Sequence, residues 1–302
     1  MGVKNPGPAE SKAILHSIRF ARLWRGMVLL RFDDAYEILG QIWPEVTNED
    51  WEKALADPRD LFRISDQTEV LKEGHSSLVV RKRLKLGQAS PEVFCKLSHR
   101  RNLLRKAIGL LRRSRPSRNW KVAWALLNNG IPTALPLAVF EQRLGPIRLA
   151  AGIITLSLPP GKELADFAEE DAASLSMDAQ RKLTRDLAGM IGKLQNQDFF
   201  HRDLKGRNIF VHSRQHSDPL MYFLDLDGCR SERQSYAKNT KSLGRLARAS
   251  LDWPTVGATT RLRFLKTYLQ DSKYAKMHWK KWWRDIDCQV KRKMRRKAKK
   301  NG

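Results

Sequence analysis

The side chains best suited to chemistry lie in one stretch, FFHRDLKGRNIFVHSRQHSDPLMYFLDLDG, from Phe199 to Gly228. Asp203 is followed by Lys205 and Asn208, and Asp225, Asp227 and Gly228 close the stretch. Moving the γ-phosphoryl of ATP onto a hydroxyl asks for little covalent help. It needs in-line positioning of the hydroxyl and divalent cations that neutralise phosphate charge. Asp203 would orient the hydroxyl or take its proton, while Asn208 and Asp225 offer hard oxygen ligands suited to Mg²⁺. Lys205 would place an ammonium near the transferring group, and His201 and Arg202 would hold the loop. Any of these residues alone is more often a solvated charge or a helix cap; the joint order carries the reading.

Such a loop has to be positioned by flanking elements. Upstream, Leu183, Leu187, Met190, Ile191 and Leu194 repeat at helical spacing from Ser176 to Gln195, with Ser176 as cap and Asp178 in the first turn. Further back, Thr68 to Glu73, Ser76 to Leu86 and Val93 to Lys96 alternate and carry β-branched residues, with Gly74 between the first two runs. Gly74, His75, Ser76 and Ser77 could bring backbone N–H groups and hydroxyls over phosphates, although a plain hairpin turn explains one glycine nearly as well. Lys96, at the end of a short apolar strand, is the candidate ammonium for the α- and β-phosphates. Leu135 to Glu141 and Ile147 to Leu158 read as two more strands, and Pro159-Pro160-Gly161 as a break. Thr155 to Leu158 would then be the hinge against adenine. The expected organisation is a helical extension over 1–65, a nucleotide-binding lobe over 66–158, a catalytic lobe over 159–275 and a basic helix or tail over 276–302.

One expected partner is missing. The carboxylate that holds such a lysine in active protein kinases sits on the next helix, yet no acidic residue occurs between Glu92 and Glu141. The helix predicted from Pro116 to Asn129 has Asn119 at that place. Asn119 would bond Lys96 neutrally, the ion pair would come from elsewhere, or activity would be low. The same interval gathers Arg100, Arg101, Arg105, Lys106, Arg112, Arg113, Arg115, Arg118 and Lys121; with Leu103 to Leu111 it predicts a short amphipathic helix with an anion-facing surface.

The chain has 302 residues and a formal net charge of +25, which favours phosphate-rich partners: a nucleotide, a nucleic acid, an anionic membrane surface or a phosphorylated substrate. Three cysteines without metal-type spacing favour a reduced compartment. No run of 18 or more apolar residues appears. Ala13 to Phe32 reads as a basic amphipathic helix, packed on the domain, lying on a membrane, or resembling an acid-poor transit peptide. Asp33 to Ala56 reads as helical, anchored by Trp43, Trp51 and Leu55. After Gly228, helices are predicted over Asn239 to Leu251, Thr260 to Leu269 and Met277 to Lys300. The last carries Trp279, Trp282 and Trp283 beside a polybasic end, either an anionic-membrane contact or a disordered solubilising tail.

Val93 to Lys96, SRNWKVAWALLNNGIPTALPLA (Ser117 to Ala138), HRDLKGRN and FLDLDG together resemble the bacterial lipopolysaccharide kinase family, over roughly residues 66 to 270. The resemblance implies an α+β, protein-kinase-like two-lobed fold with a small antiparallel β-rich first lobe and a short helical second lobe. It implies ATP- and Mg²⁺-dependent phosphorylation of a Kdo or heptose hydroxyl of the inner core, at the cytoplasmic face of the inner membrane. By position, Lys96 would bind ATP phosphates, Asp203 would be the base, and Asn208 and Asp225 would hold Mg²⁺. Asp227 is the rival ligand, because two residues along a strand it would point to the same side. The HRDLK spelling also fits a Ser/Thr protein kinase. Against that stand the missing G-x-G-x-x-G, the absence of A-P-E after Gly228, and a stretch from 228 to 302 with little room for a peptide platform. A pseudokinase or basic nucleic-acid-binding protein is the reading from another class.

Overall fold

The computed structural model describes residues 18–24, 27–32, 45–54, 56, 60–62, 68–74, 77–99, 113–144, 147–212, 219–270 and 272–301. The chain divides into two compact units: Met1–Gly130 with Ala134–Ser157, and Ile131–Thr133 with Leu158–Gly302.

The first unit is built on one antiparallel sheet of β1 (Ile18–Trp24), β2 (Met27–Phe32), β3 (Thr68–Gly74), β4 (Ser77–Arg83), β5 (Glu92–His99), β6 (Pro136–Leu144) and β7 (Ile147–Leu156). Their spatial order is β1-β2-β6-β7-β5-β4-β3. The helix expected within Ala13 to Phe32 is corrected: the described part is an antiparallel pair in which β2 joins the main sheet through β6. Arginines three apart suggested a helix. The two apolar runs are in fact separated by Arg25-Gly26, a two-residue hairpin spacing, and the tertiary pairing decides. The described residues of the expected helical extension therefore contribute strands to this sheet. They also contribute α1 (Asn48–Ala54), where a reciprocal cap between Thr47 and Asp50 starts the helix and Trp51 is buried. Trp43, Leu55 and the helix expected over 103–111 lie outside the described residues.

Alternation along the strands gives the sheet two packed faces. Val93, Cys95, Ala138, Phe140 and Ile154 turn to one, with Trp51 and Leu61 in the same core. Val139 and Ile153 turn to the other, where they meet Trp120 and Trp124 of α2 (Arg115–Asn128). Ser114 caps α2 by accepting from the Ser117 backbone N–H. Lys96 is the fifth of the eight residues of β5, mid-strand rather than at a strand end.

The second unit contains α3 (Leu164–Glu170), α4 (Met177–Asn196), α5 (Tyr236–Ala249), α6 (Ala258–Gln270) and α7 (Trp279–Asn301). Two small sheets complete it: β8 (Lys162–Glu163) with β10 (Ile209–His212) and β11 (Leu220–Phe223), and β9 (Phe199–His201) with β12 (Cys229–Ser231). Ser176 caps α4 as its sequence predicts, and the helix buries Leu187, Ala188, Ile191 and Leu194 on one stripe. The disordered-tail reading of the basic end is corrected, because α7 is a helix docked by its tryptophan. Trp282 is fully buried among Tyr236, Tyr268 and Tyr274, so it is a core residue and not an interfacial aromatic. Among the described residues no helix is long and apolar enough to cross a membrane.

Candidate active site

The loop from β9 to β12 is held by backbone pairing at both ends. His201 lies opposite Cys229 in the β9–β12 ladder, and the Arg202 N–H donates to the Gly228 carbonyl at 2.8 Å. Ile209 pairs with Phe223 in the β10–β11 hairpin, and the Leu224 N–H donates to the Asn208 carbonyl at 2.8 Å. Two sequence-distant segments, 202–208 and 224–228, are thereby fixed side by side.

Within that frame the Asn208 side-chain amide donates to the Asp203 carbonyl at 2.7 Å. With its nitrogen committed, Asn208 has its amide oxygen left as the group that can meet a cation. Asp203 is half-buried, and Arg202 Nε donates to its Oδ2 at 3.3 Å. Glycine at 228 leaves room beside that carboxylate: a Cβ there would stand 3.3 Å from Asp203 Oδ2. Lys205 is exposed.

Asp225 is exposed and takes left-handed backbone angles, φ 46° and ψ 64°. A non-glycine residue there is uncommon, although aspartate tolerates it better than most. The chain then enters a 3-10 turn at Leu226–Gly228. This corrects the premise offered for Asp227, since residues 225 and 227 do not follow one another along a strand.

His201 is buried, and its ring stacks on Phe223 with Nε2 3.3 Å from the Leu224 carbonyl. Burial pushes its pKa down, against the Leu224 bond and the charges of Asp225 and Asp203. A neutral ring with its proton on Nε2 donates to that carbonyl and ties the loop after β9 to the segment before Asp225.

The donor set suits a hard cation that takes part of its coordination from a nucleotide. Asp225 offers a carboxylate and Asn208 an amide oxygen, and no cluster of three His, Cys, Asp or Glu able to hold a metal alone is present among the described residues. Few protein ligands supplemented by substrate phosphates is the usual Mg²⁺ arrangement.

The first unit carries the remaining candidates. Gly74 ends β3 opposite Ser77, while Ser76 lies outside the described residues. Thr155 pairs with Phe94 on β7, and Leu158 is the first residue of the second unit's main segment. Lys96 pairs with Ile153, and Ile153 with Val139, so all three share the face covered by α2.

Sequence reasoning missed Glu141 on that same face, two residues beyond Val139. It is 1 % exposed, and Ser117 Oγ of α2 donates to its Oε1 at 3.2 Å. Strand spacing and rise put its Cα about 12 Å from that of Lys96, a span that a lysine and a glutamate can close together. Glu141 was visible as the first acid after the gap, but its burial was not.

The sequence model of the Lipopolysaccharide kinase (Kdo/WaaP) family matches residues 96–268. A solved structure described as "WaaP in complex with acyl carrier protein" resembles the chain with a TM-score of 0.59 at 20% sequence identity, covering 84% of this chain and 98% of that one. That likeness gives the protein-kinase-like fold. No curated protein sequence matches.

Proposed function

The chain belongs to the lipopolysaccharide kinase (Kdo/WaaP) family, and from that premise we propose that it phosphorylates a Kdo or heptose hydroxyl of the inner core at the cytoplasmic face of the membrane. The family makes it a phosphotransferase to lipopolysaccharide sugar hydroxyls, with ATP as donor. The observation that most supports the assignment of residues is the bond from Asn208 to the Asp203 carbonyl, with Leu224 bonded to Asn208. It holds in one framework the residues proposed as base and cation ligands.

In this reading Asp203 orients the acceptor hydroxyl and takes its proton as the bond to phosphorus forms. Arg202 donates to its carboxylate, and the missing Cβ at Gly228 leaves that carboxylate room. Asn208 and Asp225 hold Mg²⁺, with Asp227 as the alternative carboxylate. When bound, the cation neutralises phosphate charge. Lys205 adds positive charge near the transferring group. Lys96 contacts the α- and β-phosphates, Gly74, Ser76 and Ser77 cover them, and Thr155 to Leu158 border the adenine. A peripheral contact with the anionic leaflet would use exposed cations of α7 such as Arg292 and Arg295, because Trp282 is committed to the core.

The test is mass spectrometry of lipid A-core extracts from cells with and without the protein. One phosphate lost from a core sugar is expected in its absence. An unchanged core, together with transfer by the purified protein to a basic protein substrate, would replace this reading with that of a protein kinase.

In this reading Glu141, rather than Asn119, supplies the carboxylate that holds the Lys96 ammonium in place. Glu141→Gln, which keeps shape and removes charge, is expected to lower kcat/KM for ATP roughly 10- to 100-fold. That follows from about 1.5–3 kcal/mol for a hydrogen bond to a charged group at about 1.4 kcal/mol per factor of ten. Asn119→Ala should cost far less. Steady-state kinetics on both variants decides it, and equal losses, or a larger loss for Asn119→Ala, would exclude Glu141 from this role.

A further inference from the structure

Beside Asp203 the second unit gathers positive charge that the transfer steps do not use. On α5, Lys241, Arg245 and Arg248 follow one another at spacings of four and three, which puts them on a single stripe. The opposite stripe, with Asn239, Leu243 and Leu246, is buried in the core. Helix α7 crosses α5 at Gly244, where a Cβ would come within 2.8 Å of the Gln289 Cβ. Only glycine permits that approach. One turn along α7 from Gln289 is Lys293, and the close crossing lays it beside Arg245 and Arg248.

We propose that Lys241, Arg245, Arg248 and Lys293 form an anion subsite next to Asp203, which holds a phosphate monoester or carboxylate borne by the acceptor glycolipid. The proposal rests on the kinase reading for its substrate class, but the site itself stands on the crossing of the two helices.

Two further observations point to an anion. Arg245 Nη1 is buried and has no hydrogen-bond partner. Burial and then the charges of Arg245, Arg248 and Lys241 press the Lys293 ammonium down to about 8, with Asp203 acting against them. Arg245 is itself pushed down by burial and by Arg202, with Asp203 opposing. Lys293 and Arg245 both draw on the half-buried Asp203, which Arg202 already bonds, with Lys241 and Arg248 adding charge beside Lys293, an arrangement that a bound dianion relieves. An acceptor anchored there by its anionic group would present a neighbouring hydroxyl to Asp203. Specificity for an acidic sugar or a phosphorylated core would follow from the cost of leaving these cations unpaired with a neutral analogue.

The experiment measures sulfate, a dianion that does not titrate near neutrality, binding to the full chain with MgADP present. Wild type is compared with Lys293→Gln, Arg245→Gln and the charge-matched control Arg185→Gln, whose residue is exposed on α4. Roughly tenfold weaker binding is expected for the first two, from one charged hydrogen bond lost, and none for the control. Wild-type binding should also weaken as pH rises through about 8, where Lys293 loses its proton, whereas Lys293→Gln stays flat. In transfer assays the same two variants should raise the acceptor KM by a similar factor and leave the ATP KM unchanged. Acceptor stripped of phosphate, or with its carboxyl reduced, identifies the source: whichever treatment makes wild type behave like the variants removes the recognised group. Equal sulfate binding in all four proteins overturns the subsite, as does a rise in ATP KM in place of acceptor KM. Wild type that binds sulfate as described but transfers nothing to glycolipid retains the subsite and loses the kinase reading.

Discussion

Asp203→Ala is expected to slow phosphoryl transfer by about 10² to 10⁴-fold, the usual contribution of a positioned general base, while ATP still binds. The separation follows from what each part of the residue touches. The carboxylate is half-buried and its hydrogen-bond donor, Arg202, is exposed, so truncation returns that guanidinium to water, while it also removes the negative charge that opposes Arg245 and Lys293. The backbone carbonyl, which takes the Asn208 amide at 2.7 Å, survives the substitution and keeps the Asn208 oxygen aimed as before. Transfer of labelled phosphate from ATP to core glycolipid measures the rate, and thermal unfolding checks that the fold is intact. A fully active Asp203→Ala enzyme would remove the base from the scheme. A variant that loses activity only because its Tm collapses would instead make Asp203 a structural residue.

How far the site could be read from sequence follows the range of the interactions involved. The juxtaposition of the segments bearing Asp203, Asn208 and Asp225 was legible because a hairpin with local pairing carries the first two to the third. The helix before them was legible because its cap and apolar stripe are local as well. Lys96 was placed on the right strand, although β5 runs on to His99 because β4 and β7 pair with it on both sides. What failed depended on partners far along the chain. Ile18 to Phe32 carries both a helical and an alternating pattern, and its pairing with β6, more than a hundred residues on, selects strand. Asp227 was aligned with Asp225 by assuming a strand that the left-handed Asp225 interrupts. Glu141 sits on a strand beside Ser117 of α2, so a search confined to the helix could not find it. Trp282 looked like its neighbours Trp279 and Trp283, and only the tyrosines of other elements distinguish it.

That tryptophan supports the second large effect. Trp282→Ala should destabilise the second unit by about 3–5 kcal/mol, the range for removing a fully buried large aromatic. The ring lies 4.6 Å from Tyr236, 5.2 Å from Tyr274 and 5.7 Å from Tyr268, centroid to centroid, so the cavity would open among rigid groups that cannot collapse into it. Two of those tyrosines are also fixed by hydrogen bonds, Tyr236 to Asp285 at 2.6 Å and Tyr268 to Gln195 at 2.5 Å. Denaturant unfolding of wild type and variant gives the loss, and Met294→Ala on the same helix, at an exposed position, should stay within about 0.5 kcal/mol. The form of the loss matters as much as its size. If α7 detaches by itself, amide exchange accelerates along 279–301 alone, and the acceptor KM rises as Lys293 leaves the stripe on α5. If the whole unit unfolds together, exchange accelerates throughout it, and the loop bearing Asp203 goes with it. A change below about 1 kcal/mol, well under the expected range, would mean that the tyrosine cluster does not dock the helix. The basic end would then revert to a solvated appendage, and the anion subsite would have no second wall.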